Sequence, residues 1–263
     1  MVSIQDIYKS IAKEEFSENT LQLIDNQIND IQNGSTDFYR FNQQEHTGLC
    51  KAGAPLIGAS IVASYAAASI GTSGDASSGS QLANNWEIDQ LQESLIEKWA
   101  KAADLWIENS EQILIENFGS CIAQGAEAKV YYRSGDTSVV KERASIYSTT
   151  QKALDAIVLH NYLFPETAMS VVGFTRDKDG LFRSVLTQPY VRCIRLATKA
   201  EIDELVFAKG FRDNWEGNGV NYISDRILLE DMHPANVFID EVSGKAICID
   251  CIVKFNTEKY ATD

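Results

Sequence analysis

The sequence predicts an α+β protein. Two observations carry that reading. The first hundred residues show apolar positions at helical spacing, with no run of alternating strand character. After Phe118-Gly119 the pattern becomes short β-type runs joined by turn residues, interrupted by two helical stretches, so strands and helices segregate and do not alternate as βαβ units.

Taken in order, Ile4, Ile7, Tyr8 and Ile11 share one helix face, with Ser3 placed as an N-cap, and Leu21, Ile24, Ile28 and Ile31 form a second stripe closed by Asn33-Gly34. No charged residue falls between Lys51 and Asp75. Gly53 to Ile70 has the length of a membrane span, but Ala, Ser and Gly dominate it, and residues of that kind insert poorly. It reads as a buried small-residue helix. Gly71-Thr-Ser-Gly-Asp-Ala-Ser-Ser-Gly-Ser80 is linker-like, and a further helix follows Asn84-Asn85, with Trp86, Leu91, Leu95 and Trp99 on its apolar side. This divides the chain into a helical extension, residues 1–85, and a domain over 86–263.

In the second part, Lys129–Arg133 and Ser138–Lys141 read as strands around Ser134-Gly-Asp136. Ala144–Leu163 reads as a helix, with Ile146, Ala153, Ile157 and Asn161 along one side. Met169–Thr175 and Leu181–Val191 read as strands. Thr198–Lys209 reads as a helix opened by a capping box, Thr198 with Glu201. Short strands follow at Asn221–Ser224, Arg226–Leu229, Val237–Asp240 and Lys245–Asp250.

The formal net charge is −14, from 37 acidic and 23 basic residues. Binding to nucleic acid or to an anionic membrane rests on clustered Lys and Arg, so neither partner is expected. Five cysteines at irregular spacing do not form a disulfide framework, and the chain opens on a polar-apolar helical pattern with no secretory leader, so a cytoplasmic setting is expected. Cys248 and Cys251 have C-x-x-C spacing, but on a strand positions i and i+3 face opposite ways, so the expectation is two small buried residues flanking Asp250. His46, His160 and His233 show no zinc spacing, and structural roles are expected for His160 and His233. Gly53-Ala-Pro-Leu-Ile-Gly58 begins like a P-loop, but Ala59 stands where the lysine must be.

The most specific signal is Leu228-Leu-Glu-Asp-Met-His-Pro-Ala-Asn-Val-Phe-Ile-Asp240, followed by Ala246-Ile-Cys-Ile-Asp250. Phosphoryl transfer needs a carboxylate near the attacking hydroxyl and oxygen ligands for Mg²⁺. An Asp-x4-Asn loop, a hairpin and a strand-terminal Asp supply those groups. The pattern resembles the catalytic loop and metal-binding aspartate of kinase-like phosphotransferases, in wording closest to the aminoglycoside-phosphotransferase-like branch. By that resemblance Asp231 orients or deprotonates the hydroxyl, and Asn236 and Asp250 hold the metal. Upstream, Ile122-Ala-Gln-Gly-Ala-Glu-Ala-Lys-Val-Tyr131 resembles a glycine-rich phosphate loop, with Gly125 and Ala126 at its centre and Ala123 and Ala128 replacing the outer glycines. Lys141, after Val139-Val140, resembles the strand lysine that holds phosphates. Asp155 is the first choice for its carboxylate partner, then Glu166, then Glu142. Gln188-Pro-Tyr-Val191 falls at the hinge position that receives adenine, which puts Gln188 and Val191 in the nucleotide site.

His160-Asn-Tyr-Leu-Phe-Pro-Glu-Thr167, Gly173-Phe-Thr175, Leu229–Asn236 and Ile249-Asp250 together resemble the polyvalent-protein kinase domain, over roughly Trp86 to Val253. That family occurs in large proteins of phages and conjugative elements of bacteria. The resemblance implies a reduced protein-kinase-like fold with an antiparallel N-lobe sheet and a small C-terminal half, using ATP and Mg²⁺ to phosphorylate a hydroxyl acceptor on Ser/Thr/Tyr or a small molecule. Some positions depart from the protein-kinase pattern. Glu230 stands where many kinases have Arg, Cys251-Ile252 follows Asp250 in place of Phe-Gly, and the thirteen residues after Asp250 leave no room for an activation segment. The alternative reading is therefore a pseudokinase that binds a nucleotide or a protein partner.

Overall fold

The computed structural model describes Leu56, residues 58–60, 62–63, 81–125, 127–215, 219–225 and 227–256. The helical stripes expected before residue 35, the linker-like stretch up to Ser80, and Ala126 lie outside the described residues. The chain separates into two compact units: one of residues up to Asp155 together with Ser170–Gln188, the other of Ala156–Met169 and Pro189 onward. The backbone passes from one to the other at Asp155/Ala156, Met169/Ser170 and Gln188/Pro189. The α+β class holds, with antiparallel pairing between β1 and β2, β2 and β3, and β4 and β5 in the first unit and in the described strand pairs of the second.

The first unit is built on a five-stranded sheet of order β1-β2-β3-β5-β4, from β1 (Ser120–Gln124), β2 (Ala128–Tyr132), β3 (Ser138–Ala144), β4 (Ser170–Arg176) and β5 (Phe182–Pro189). Helix α1 (Gln81–Ala102) packs on it through Trp99, edge-on to Phe174 at 6.3 Å between ring centroids. Glu93 and Glu97 of the same helix hold Arg176, at 3.1 and 3.0 Å. Helix α2 (Ser110–Phe118) covers another part of the sheet, where Leu114 packs with Tyr131, Val140 and Val185. It ends on Gly119, whose φ of +90° suits glycine, and a Cβ there would lie 2.5 Å from the Tyr132 carbonyl oxygen.

The sequence misplaces the buried face of α1. Trp86 is exposed, whereas Gln92, Ile96 and Ala100 are buried. Periodicity counts only apolar residues, and here a glutamine supplies the centre of the face. Its amide donates to the Ala63 carbonyl (3.1 Å) and accepts from the Gln151 amide (3.0 Å). Ala59 and Ala63 are fully buried and helical, as the small-residue reading required. Among the described residues, no helix is long and apolar enough to cross a membrane.

Helix α3 (Thr150–Leu163) starts six residues later than expected, and Ile146 is exposed outside it. Residues through Ala144 stay in β3, the Ala144 amide donating to the Glu127 carbonyl (2.7 Å). The helix begins where Asp89 of α1 accepts from both the amide (2.6 Å) and the hydroxyl (2.7 Å) of Thr150. Thr149 caps the same end locally, its hydroxyl accepting from the Lys152 amide at 3.3 Å, and Asp89 adds a cap from sixty-one residues away.

The second unit holds two smaller antiparallel sheets. One has the order β11-β10-β6, from β6 (Cys193–Leu196), β10 (Val237–Asp240) and β11 (Ala246–Cys248). The other has the order β12-β9-β8-β7, from β7 (Arg212–Asp213), β8 (Tyr222–Ile223), β9 (Ile227–Glu230) and β12 (Ile252–Phe255). Helix α4 (Lys199–Phe207) opens with the expected capping box between Thr198 and Glu201 and buries Ile202 and Val206. Two differences from the expected strands matter for the site. The last expected strand ends at Cys248, not Asp250, and the residues after Asp250 form β12, paired with β9 from Ile252↔Glu230 to Phe255↔Ile227.

Candidate active site

In the second unit the site is built where β9 ends. Leu229 and Met232 are fully buried and anchor the chain on either side of Asp231. Asp231 itself takes φ +63°, a left-handed conformation that Asp tolerates better than most residues. Its amide donates to Asn221 Oδ1 (3.2 Å), and the Met232 amide donates to the Val220 carbonyl (2.9 Å). The carboxylate is thereby turned outward, with about half of the side chain exposed.

The next residues close a short helical turn, Pro234–Asn236. His233 caps it, Nδ1 accepting from the Ala235 amide at 3.2 Å, which is the loop-fixing role expected for this histidine. Its Nε2 lies 3.4 Å from Asp231 Oδ1. Asn236 Nδ2 donates to the Asp231 carbonyl (2.9 Å) and to Asp231 Oδ2 (3.0 Å). With the amide nitrogen engaged on Asp231, Oδ1 is the Asn236 atom left to meet a cation.

From Asn236 the chain runs through the β10–β11 hairpin, with Val237 opposite Cys248, and returns. The Ile249 amide then donates to the Asn236 carbonyl (2.9 Å), which sets Asp250 next to the loop. Asp250 Oδ1 accepts from the Cys251 amide at 3.0 Å. Asp231, Asn236 and Asp250, three residues singled out from sequence, thus share one loop-and-hairpin substructure. Their donor atoms are hard oxygens, the set that Mg²⁺ takes. Glu230 is ion-paired with Lys254 of β12 at 2.7 Å, so the acidic residue at this position braces the strand that follows Asp250.

In the first unit, Gly125 and the expected phosphate loop sit at the tip of the β1–β2 hairpin, where Gln124 pairs with Lys129 and the Gly125 amide donates to the Ala128 carbonyl (2.8 Å). Lys141 lies in β3, opposite Val130 and buried. Asp155 sits in the first part of α3, its carboxylate accepting from Gln151 Nε2 at 2.7 Å, and Ser60 Oγ accepts from the same Gln151 nitrogen at 2.7 Å. Glu142 is corrected as a partner for Lys141. Neighbours on a strand face opposite ways. Glu142 is turned to the α2 side, where Ser110 Oγ donates to it at 2.7 Å, the Tyr131 hydroxyl lies at 3.4 Å and Lys129 Nζ at 3.8 Å. Burial, reinforced by that carboxylate, pushes the Tyr131 hydroxyl well above its usual range. Glu166 is exposed in the Pro165–Thr167 turn of the second unit. Gln188 is buried at the end of β5, and Val191 follows that strand, half-buried.

The sequence missed one constellation. Because β11 stops at Cys248, the strand argument against convergence of Cys248 and Cys251 fails, and His160, Cys248 and Cys251 bring their donor atoms within 4.8 Å of one another, all buried. Burial pushes the Cys251 thiol well above its usual range. Position 160 is too distant in sequence for any spacing rule to have found it.

A family model described as "Serine/Threonine/Tyrosine Kinase found in polyvalent proteins" matches residues 89–257, well over half of the chain. No curated protein and no solved structure matches it.

Proposed function

The chain belongs to the family of serine/threonine/tyrosine kinases found in polyvalent proteins, and from that premise we propose that it is an ATP-dependent phosphotransferase that moves the γ-phosphoryl group to a hydroxyl acceptor. The observation that carries this reading is the Asp231–Asn236–Asp250 substructure. Its carboxylate is turned outward, its asparagine amide is oriented by that carboxylate, and the second aspartate is returned to it by a hairpin.

The roles follow from the chemistry of each group. Asp231, outward and half-exposed, accepts or orients the acceptor's proton. Asn236 Oδ1 and Asp250 would hold Mg²⁺, whose contribution when bound is to neutralise charge on the transferring phosphate. Lys141 would hold phosphate oxygens, its position in β3 matching the strand lysine of the kinase-like pattern, and the tip of the β1–β2 hairpin would cover them. The sheet order β1-β2-β3-β5-β4, with the lysine in the third strand, supports the reduced kinase-like reading of this unit. The chain leaves the first unit directly after Gln188, which supports a hinge role for Gln188 and Val191.

The pseudokinase alternative has one specific observation in its favour, a phosphate loop that keeps only the middle glycine. Transfer of labelled γ-phosphate from Mg-ATP, to the chain itself or to a panel of hydroxyl acceptors, separates the two. Asp231→Asn is expected to lose at least about 100-fold of wild-type transfer while retaining nucleotide binding. Equal transfer by wild type and Asp231→Asn would overturn the enzyme reading. Binding without transfer in wild type favours the pseudokinase.

A further inference from the structure

The buried His160–Cys248–Cys251 cluster is independent of the phosphotransfer reading. Its three side chains come from the second half of α3, the end of β11 and the turn after Asp250. His160 is 1% exposed, Cys248 0% and Cys251 5%. Two thiolates that share one tetrahedral ion at ordinary Zn–S lengths lie about 3.8 Å apart, and a thiolate and an imidazole nitrogen slightly closer. The three ligand atoms fall within 4.8 Å of one another, so side-chain movements that sum to about 1 Å close the widest pair.

The histidine is oriented as a ligand would be. Its Nε2 lies 3.3 Å from the Thr167 carbonyl oxygen and 3.4 Å from Thr167 Oγ1. That hydroxyl gives its own proton to the Cys248 carbonyl at 2.6 Å, so both oxygens facing Nε2 are acceptors. The ring proton therefore belongs on Nε2, and the lone pair on Nδ1 faces Cys251 Sγ, 3.5 Å away. A metal-bound imidazole is held in this way, its far N–H on a backbone carbonyl. A further soft donor is at hand: Met232 Sδ, fully buried, lies 3.8 Å from Cys248 Sγ. Phe164, also fully buried, packs beside the imidazole at 5.4 Å between ring centroids.

We propose that His160 Nδ1, Cys248 Sγ and Cys251 Sγ form a buried site for a thiophilic cation, zinc or cuprous copper. Thiolate and imidazole suit both ions, and the thioether of Met232 adds weight to copper. The hard cation of phosphoryl transfer is a poor fit to these donors. Since both cysteines flank Asp250, and the Cys251 amide donates to its carboxylate, an ion here ties α3 to the backbone on either side of that aspartate. The site is closed to solvent, so the ion enters during folding.

The test uses the full chain with Cys50, Cys121 and Cys193 replaced by serine, which leaves only the two proposed thiols. This protein is refolded under reducing conditions with zinc alone, or with cuprous ion delivered from a weak chelator, then desalted and assayed for metal. The expected result is about one ion per folded chain for one of the two metals, a single closed mononuclear site. The bound ion should also protect Cys248 and Cys251 from alkylation, mapped by peptide mass. Cys251→Ser in the same background should lose at least about 10-fold in affinity for it. Should Cys251→Ser fail to fold, the metal content and alkylation pattern of the parent decide the matter alone. A folded, reduced parent that retains neither ion, or retains one without protecting these two cysteines, overturns the proposal.

Discussion

The two units present their candidate residues in opposite ways. In the first, Lys141 is buried in the middle of a strand, and its surroundings are a packed sheet covered by α1 and α2. In the second, Asp231 and Asn236 sit in a loop held by short hairpins, side-chain hydrogen bonds and one left-handed residue. The contrast teaches that a lysine can be carried by a strand of a packed sheet. A carboxylate that must reach a reacting group is placed by local backbone geometry with much less burial behind it. Substitutions in the first unit should therefore register as stability, and those in the loop as chemistry.

The largest expected effect tests the loop. Asp231→Gly relieves the left-handed conformation but removes the carboxylate and its bond from Asn236, two changes of about 1 kcal/mol each and opposite in sign. Stability in urea should stay within about 1 kcal/mol of wild type, while phosphoryl transfer falls at least about 100-fold. A protein unfolded by this change would erase the contrast.

Next comes the sheet. Glu142→Ala strips the Ser110 hydroxyl of its acceptor and the Lys129 ammonium of one of its two carboxylate neighbours, leaving Glu111 at 4.0 Å. Urea unfolding should show a loss of about 3 kcal/mol. A loss below about 1 kcal/mol would mean that this buried carboxylate does not hold α2 to the sheet.

Smaller still is a pair of glycines in the first unit. Gly119→Ala forces a Cβ to within 2.5 Å of the Tyr132 carbonyl at φ +90°, whereas a Cβ on Gly125 meets nothing closer than 3.9 Å. The first should cost about 2 kcal/mol and the second less than about 0.5. Any effect of Gly125→Ala should appear in nucleotide affinity, which sharpens the distinction between a structural glycine and a phosphate-loop glycine.

The smallest effect is a pH dependence. Burial pushes the Asp177 carboxyl up, but Arg183 at 2.6 Å and the Leu181 and Asp179 amides outweigh it and hold the group below the usual carboxylate range. A depressed carboxyl stabilises the fold above its unfolded pKa, about 3.9, and that contribution disappears as pH falls through the folded value. Asp177→Asn should be less stable than wild type by about 1 kcal/mol at pH 7. The gap should close on acidification below pH of about 4. A gap that is constant with pH would assign the effect to packing.

Much of this was legible beforehand. The Asp-x4-Asn loop, the capping box at Thr198 and the strand Val237–Asp240 are local signals, each carried by residues within a few positions of one another. What the sequence hid depends on distant partners. The buried face of α1 centres on a glutamine because Ala63 and Gln151 satisfy its amide. The start of α3 is reinforced by Asp89, in addition to its local Thr149 cap. The strand after Asp250 exists because β9 is there to pair with it, and the thiols of Cys248 and Cys251 converge on His160 only because β11 stops short. Such long-range complements leave no periodicity to read.

The proposed phosphotransfer requires that Asn236 and Asp250 hold the cation of a nucleotide. This requirement is tested most directly by thermal unfolding with ATP, with and without Mg²⁺, on wild type and Asp250→Ala. A ligand that binds only the folded state raises its stability in proportion to occupancy. An upward shift is expected in wild type that needs Mg²⁺ and is lost in Asp250→Ala. A shift of equal size in both proteins, or none in wild type, would contradict it.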